Sequence, residues 1–276
     1  MEQTTNRENS QSIKLSIQVR LNGLSFCTMN EETREVLWYQ KVNFHKEYNP
    51  LKILEQIEAL YNSEKQLQQP VKEVSLLFSN ELYSFVPKDF FIEEEASTYL
   101  KFNTKILKTD IVAHDFLEAE DLVNVYIPYT NITNFFFDRY GEFEYQHSCS
   151  ILAQEVLNDL NKDRVNVYLN NFEGYYDLAV AKGKELLLCN TFTYDTKEDF
   201  IYYLLFTAEQ LKLNREELEL TLLGNINEDS ALYKILYTYI KNVKFLSKSL
   251  NCTSKKYQGE QFQREAFLLL KTLGCE

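Results

Sequence analysis

Three strand-like runs followed by a helix-like run occur twice in this chain, and that repeat constrains the fold more than any other feature. In the first half, residues 13–20, 24–30 and 35–42 read as strands and 50–61 as a helix. In the second half, 164–170, 174–181 and 184–192 read as strands and 196–211 as a helix. Ile13, Leu15, Ile17 and Val19 recur at the period of two that a half-buried strand requires. Asn22-Gly23, Asn170-Asn171 and Lys182-Gly183 lie between the runs, and these residue types accept the positive φ of tight turns. Leu51, Leu54, Ile57, Leu60 and Tyr61 form a helical apolar stripe behind Pro50, a residue suited to a first helical turn. A plan of three strands and a helix, used twice, predicts an α/β molecule of two similar lobes.

The remaining segments fit around that plan. Residues 74–78 read as a buried strand, 82–86 as a strand ended by Pro87, and 89–102 as a helix with acids near its start. Strands over 105–116 and 122–127 complete a small α+β insert at about 82–127. A helix over 128–140 stops at Gly141, a strand spans 142–147, and Ser148 is placed to cap a helix over 151–160. Beyond the second repeat come a strand at 218–223 ending at Gly224, a helix over 231–241 capped by Asp229 or Ser230, and a strand at 243–246. A polar loop, 251–259, leads to an amphipathic helix over 261–273. The division is therefore a disordered tail (1–12), a first lobe (13–161) and a second lobe (162–276).

Charge and cysteine content narrow the function. The net charge is −12, and the 29 Lys and Arg are scattered among 41 acids. Nucleic-acid binding asks for a basic stripe, so nucleic acid is not an expected partner. The 19 Tyr and 19 Phe suit half-buried strands and lobe cores. No apolar run reaches bilayer length, and the polar start lacks a signal-peptide core, so no membrane insertion is expected. Five cysteines, none close in sequence to another, behave as small buried hydrophobes of a reducing compartment. These features together read as cytoplasmic.

Familiar catalytic patterns are missing. No G-x-G, Walker or G-x-S-x-G motif occurs, and no His/Cys/Asp spacing suits zinc or an EF-hand. His147-Ser148-Cys149 is the clustered set, but neighbours on a strand point apart, so it reads as structural. His114-Asp115 reads as a polar strand edge.

The order strand, helix, Gly turn, strand, helix in 123–141 (VNVYIPYTNITNFFFDRYG) and 145–157 carries a resemblance, as does the strand series in 166–192 (NVYLNNFEGYYDLAVAKGKELLLCNTF). Over residues 13–276 the chain resembles the actin-like ATPase (ribonuclease-H-like) superfamily, and within it the actin-like domains of pilus-assembly and secretion-platform proteins and of a cell-division relative. More narrowly, it resembles a Bacteroidetes family labelled domain of unknown function 3822. The resemblance implies a duplicated βββαβα two-lobe fold with a small inserted α+β subdomain in lobe one.

It also implies where chemistry belongs. In that superfamily two Asp-x-Gly hairpins face each other across a cleft, holding a metal and approaching phosphates through glycine backbone. Here the first hairpin places Arg20 or Asn22, before Gly23, where an Asp is expected. The second places Asn170 or Asn171 there, before Glu173 and Gly174, with Phe172, Tyr175 and Tyr176 crowding the loop. The adenosine-side loop, which needs adjacent glycines, offers Gly224-Asn225. Glu173 and Asp177 read as exposed hairpin acids that bind a metal only if the loop is remodelled. These positions mark a vestigial nucleotide pocket, with no catalytic residue, no metal, and neither ATP nor magnesium expected as a cofactor.

The expected function is thus a non-catalytic actin-like pseudo-ATPase serving as a cytoplasmic protein-interaction scaffold. The alternatives are a divergent ATP-binding protein or kinase using the cleft, and a binder of some other small ligand. The resemblance implies a protein partner, either a peptide tail of a membrane protein or another copy of the domain. It points to 82–127 as the docking surface, with Tyr83, Phe85, Phe90, Phe91, Tyr99 and Phe102 as candidate anchors.

Overall fold

The computed structural model describes residues 12–101, 106–107, 109–159, 164–214, 216–248 and 250–276. The alternating run at the start folds as a hairpin of β1 (Ile13–Arg20) and β2 (Gly23–Asn30), and β3 (Glu35–Asn43) continues the meander. Asn49 caps α1 (Pro50–Ser63) by accepting the Lys52 N–H, with Pro50 in the first turn. This helix buries Ile53, Ile57 and Tyr61, while Leu51 is 68% exposed. Leu54 and Leu60 pack partly buried against the same core, so the stripe the sequence suggested holds except at Leu51, with Ile53 added to it. β4 (Glu73–Phe78) then runs parallel to β1.

The insert departs furthest from expectation. β5 (Tyr83–Pro87) is followed not by a helix over 89–102 but by two single 3₁₀ turns and the short α2 (Ala96–Leu100). The cause is local: Tyr99 Oη accepts the Ile92 N–H at 3.0 Å and donates to the Phe90 carbonyl at 2.7 Å, engaging groups that a continuous helix would pair along its axis. The strand expected over 105–116 is limited to β6 (Ala113–Leu117), and residues 102–105 and 108 lie outside the described residues. With β7 (Leu122–Tyr126), the insert forms a sheet of order β5-β7-β6, antiparallel throughout.

α3 (Thr130–Tyr140) ends at Gly141, whose φ of +75° a residue with a Cβ adopts at a cost. β8 (Glu144–His147) joins β4 in parallel and completes a sheet of order β3-β2-β1-β4-β8. α4 (Ser148–Leu157) starts earlier than expected. Its cap is His147, which accepts the Cys149 N–H, and not Ser148.

The second lobe repeats the first. β9 (Val165–Asn171), β10 (Tyr175–Lys182) and β11 (Glu185–Thr193) form a meander, and α5 (Lys197–Gln210) follows behind a capping box of Thr196 and Asp199. β12 (Glu219–Gly224), α6 (Ala231–Tyr239, capped by Ser230) and β13 (Asn242–Phe245) close a sheet of order β11-β10-β9-β12-β13. Strand for strand, this order and these directions match the first sheet.

The chain ends in α7 (Glu260–Glu265) and α8 (Phe267–Thr272), divided at Ala266. This replaces the expected single amphipathic helix. Phe267, Leu268, Leu269 and Leu270 are all buried in succession, so α8 has no solvent face of its own over those residues. It lies with α4 in a core shared by Cys27, Met29 and Leu77 of the first sheet and Tyr168, Ala179 and Leu223 of the second. Main-chain bonds from Val36 N–H to Thr253 O (2.7 Å) and from Thr253 N–H to Arg34 O (2.9 Å) draw the terminal segment onto β3. Among the described residues, no helix is long and apolar enough to cross a membrane.

Candidate functional site

The two hairpin tips, β1–β2 and β9–β10, touch each other. Arg20, the last residue of β1, is buried at 2% exposure. Its Nη1 donates to Gln18 Oε1 at 3.0 Å and to Ser25 Oγ at 3.3 Å. The guanidinium carbon sits 5.0 Å from the centre of the Phe172 ring, which in turn stacks on Tyr175 at 4.8 Å. Asn22 Nδ2 donates across to the Glu173 carbonyl at 2.6 Å. A Cβ on Gly23 would lie 2.7 Å from Val42 O and 2.8 Å from Arg20 Nη2, so close packing makes glycine necessary there.

The second hairpin is also fastened to the loop after β12. Asn171 Nδ2 donates to Asn225 O at 2.7 Å, and Asn225 N–H returns a bond to Asn171 O at 2.8 Å. Tyr194 Oη donates to Asn171 Oδ1 (3.0 Å) and to the Phe172 carbonyl (2.8 Å). Gly224, at φ +76°, approaches so closely that a Cβ would stand 2.2 Å from Asn171 O and 2.8 Å from Asn170 Oδ1. Gly174, at φ +82°, has open space around it. The structure therefore gathers Arg20, Asn22, Gly23, Asn170, Asn171, Glu173, Gly174, Gly224 and Asn225 around one junction, where several bond one another.

Asp177 corrects an expectation. It is not an exposed hairpin acid but is buried at 2%, in the middle of the second sheet opposite Asn170. Thr191 Oγ1 donates to its Oδ1 at 2.7 Å, the Cys149 thiol lies beside it, and Oδ2 has no hydrogen-bond partner among the described residues. Burial raises its pKa from 3.8 to about 7, against the opposing effect of the Thr191 bond. Glu173 is exposed, and its charge is felt by Lys41, so the two acids occupy different surroundings.

In front of the hairpins lies a cleft of about 310 Å³, lined by Leu21 and Asn22 of the first hairpin, Glu81 and Tyr129 beyond β4, and Tyr175 and Thr191 of the second lobe. Sequence reasoning missed Glu81, Tyr129 and Thr191, because they come from segments distant in the chain and from no motif.

The remaining candidates, His147 and Asp115, bond groups within the fold. His147 is fully buried, and desolvation lowers its pKa to about 3, so the ring is neutral. Its Nδ1 accepts from Cys149 N–H and its Nε2 donates to Asn80 O at 3.1 Å. Asp115 lies on β6, an outer strand of the inserted sheet. It accepts from Tyr126 Oη and the His147 N–H, and so pins the inserted sheet to the start of α4. Its pKa rises to about 6, chiefly through burial. Cysteines remote in sequence also meet in space, Cys149 with Cys189 and Cys252 with Cys275, all as free thiols.

On the insert, Tyr83 is core rather than an exposed anchor: it packs 4.5 Å from the His147 ring and points its hydroxyl at Thr191. Phe85, Phe91 and Tyr99 are half-buried, Phe90 is 72% exposed, and Phe102 lies outside the described residues. Ile92, Leu107, Ile111 and Phe116 add exposed apolar surface that the sequence did not single out.

Comparison with known proteins places this geometry. No curated protein matches the chain. A Bacteroides thetaiotaomicron protein with an actin-like ATPase fold and unknown function superposes with a TM-score of 0.79 at 20% identity, covering 98% of each chain. The type IV pilus biogenesis complex PilM–PilN gives 0.59 at 12% identity, covering 94% of this chain and 97% of the other. The ethanolamine utilization protein EutJ from Carboxydothermus hydrogenoformans gives 0.50 at 8% identity, covering 95% and 89%. The profile of the family described as protein of unknown function (DUF3822) matches residues 2–243. The chain belongs to the DUF3822 family and has the actin-like ATPase fold.

Proposed function

We propose that this protein is a non-catalytic actin-like domain that works as a protein-interaction scaffold. The observation that carries the reading is the closed junction of the hairpins, where Arg20 stacks on Phe172 and Asn22 bonds Glu173. The residues present do not fit a magnesium-bound triphosphate. The Arg20 guanidinium is turned to Gln18, Ser25 and Phe172, and Asp177 lies buried beneath Thr191. Asn171 is engaged with Asn225 and Tyr194. Opening such a junction leaves buried polar groups without partners, at about 1–3 kcal/mol each.

The docking surface on this reading is the insert, where Phe90, Ile92, Leu107, Ile111 and Phe116 are exposed. Exposed apolar patches mark interaction sites more often than isolated apolar residues do. PilM, a protein of the same fold, is named in complex with PilN, which supports a protein partner here, either the peptide tail of a membrane protein or a second copy of the chain. A cytoplasmic setting is part of the same proposal.

The test pairs calorimetry with Mg·ATP and a phosphate-release assay with affinity capture comparing the native chain and Phe116→Asp. The expected result is neither nucleotide binding nor turnover, and a partner lost in the variant. Saturable Mg·ATP binding at micromolar concentration, or phosphate release above background, would instead establish the divergent ATP-binding reading.

A further inference from the structure

We infer that Cys252 and Cys275 form a hydroperoxide-reactive dithiol, in which Cys252 is the attacking thiol and Cys275 closes the disulfide. This goes beyond the scaffold reading and does not depend on it. The fold assembles the pair from segments distant in the chain. Asn251 N–H donates to the Glu276 carbonyl at 3.0 Å, and Glu276 N–H donates to Asn251 Oδ1 at 3.0 Å. One residue inward on each segment, the two thiols lie side by side. Residue 251 thus meets 276 while 252 meets 275, so the segments run in opposite directions. Neighbours across antiparallel segments stand about 4.5–5.5 Å apart at Cα, within the roughly 4.4–6.8 Å that a disulfide spans.

A cation is fixed beside the pair. Arg34 Nη2 donates to Asn251 Oδ1 at 3.0 Å and to the Gly274 carbonyl at 2.6 Å, on the two residues that precede the cysteines. A guanidinium so placed favours a thiolate. The Cys275 contact, with Arg34 acting in the same sense, holds Cys252 below the usual thiol value, whereas Cys252 and burial push Cys275 up. Access divides the roles in the same way. Cys252 is half-buried, while Cys275 is fully buried with its Sγ 3.5 Å from Met29 Sδ. An oxidant arriving from solvent therefore meets Cys252 first. The Cys149–Cys189 pair is a contrast: Cys149 is fully buried, and burial, its neighbour Cys189 and the Asp177 carboxyl all hold it as the thiol.

The chemistry balances with a hydroperoxide as the oxidant. The Cys252 thiolate sulfur attacks one peroxide oxygen and the O–O bond breaks. The sulfur becomes a sulfenic acid, oxidised by two electrons, and the other oxygen leaves as hydroxide and is protonated to water. The Cys275 sulfur then attacks the Cys252 sulfur, an S–S bond forms, and the departing hydroxide takes the Cys275 proton as a second water. Two thiols and one hydrogen peroxide thus give one disulfide and two waters, and a dithiol reductant reverses the outcome. The bond would fasten residues 274–276 to the segment that Thr253 joins to β3.

Hydrogen peroxide added to the reduced full chain at neutral pH, followed by peptide mass mapping, tests this. The first product expected is a Cys252–Cys275 link that has lost two hydrogen atoms and is restored by dithiothreitol. In Cys275→Ser the reaction should stop at a Cys252 sulfenic acid that dimedone captures, and in Cys252→Ser no link should form. Cys189, also half-buried, serves as the internal control: iodoacetamide should label Cys252 about tenfold faster. Arg34→Gln should slow that labelling severalfold, with circular dichroism confirming the fold. Labelling of Cys252 no faster than Cys189, a first link through Cys27 or between Cys149 and Cys189, or an unchanged rate in a folded Arg34→Gln chain would overturn the inference. Should that variant not fold, the comparison of Cys252 with Cys189 in the native chain still decides. None of these results bears on the hairpin junction, which the Mg·ATP titration probes separately.

Discussion

Glu155 of α4 holds Lys271 of α8 at 2.9 Å, and its other carboxylate oxygen meets Lys248. The carboxylate is buried, while both lysines reach solvent along their stems. This places a charged clamp where the two sheets share one core, and it ties the end of the chain to the helix that opens after the first sheet. Glu155→Ala is expected to cost about 2–3 kcal/mol, below the ~3–5 for a fully buried pair because the orphaned lysines can be hydrated. Urea unfolding measures it. Lys248→Met alone, on the more exposed partner, should cost no more than about 1 kcal/mol.

The hairpin junction has its own energetic signature. Phe172 is 7% exposed, with Arg20 on one face and Tyr175 stacked on it. Phe172→Ala removes the ring and leaves a cavity beside a buried guanidinium, and should cost about 3 kcal/mol in thermal or urea unfolding. Phe172→Leu keeps most of the volume and should cost less than half of that. If the ring merely blocked a working phosphate site, the alanine variant would gain Mg·ATP binding. The expected calorimetric result is no gain, because Arg20 and Asn22 keep their other partners.

Three groups shifted chiefly by desolvation contribute to the pH dependence of stability, and their effects oppose one another. Asp177 and Asp115 have native pKa values raised from 3.8 to about 7 and about 6. Between pH 4 and those values the unfolded chain has lost protons that the native state keeps, so stability falls as pH rises. His147 is lowered from 6.5 to about 3, so over pH 3 to 6.5 the unfolded chain binds a proton that the native state refuses, and stability rises. Each group contributes a slope of at most about 1.4 kcal/mol per pH unit. Asp177→Asn removes one falling contribution. The variant is expected to gain on the native chain from pH 4 upward and to exceed it above pH 7, by as much as about 4 kcal/mol. Chemical denaturation at pH 5 and pH 8 checks the sign, and a variant that loses ground at pH 8 would contradict the burial of Asp177.

How much of this was legible in the sequence depended on how local the cause was. The two strand triplets were readable because alternation and turn residues act within a few positions, as in Ile13, Leu15, Ile17 and Val19 ahead of Asn22-Gly23. The segment 89–102 misled because its acids and apolar spacing fit a helix, while the deciding contact, Tyr99 with Phe90 and Ile92, is a side-chain bond that no periodicity registers. The C-terminal stretch misled for a different reason. A run such as Phe267–Leu270 announces burial, but nothing local says that it will be enclosed by two sheets at once. At the site, the hairpin positions themselves could be named from the sequence, and the structure brings them to one junction. The burial of Asp177, and the meeting of Glu81, Tyr129, Tyr175 and Thr191 around one cleft, follow from how the lobes close and from nothing adjacent in the chain.

Two glycines of the junction separate conformational need from spatial need. Both have positive φ, +82° at Gly174 and +76° at Gly224. Around Gly174 a Cβ would meet nothing within 4 Å, whereas at Gly224 it would sit 2.2 Å from the Asn171 carbonyl oxygen. Gly174→Ala should therefore cost only the backbone preference, about 1–2 kcal/mol. Gly224→Ala adds a main-chain clash that no rotamer relieves, so β12 and β9 must separate where Asn225 and Asn171 exchange their bonds. A loss of about 3 kcal/mol or more is expected in urea unfolding. Amide exchange should also accelerate at Asn225 in that variant but not in Gly174→Ala. Equal losses in the two variants would mean that the second hairpin and the loop after β12 are not packed as closely as the Asn171–Asn225 bonds require.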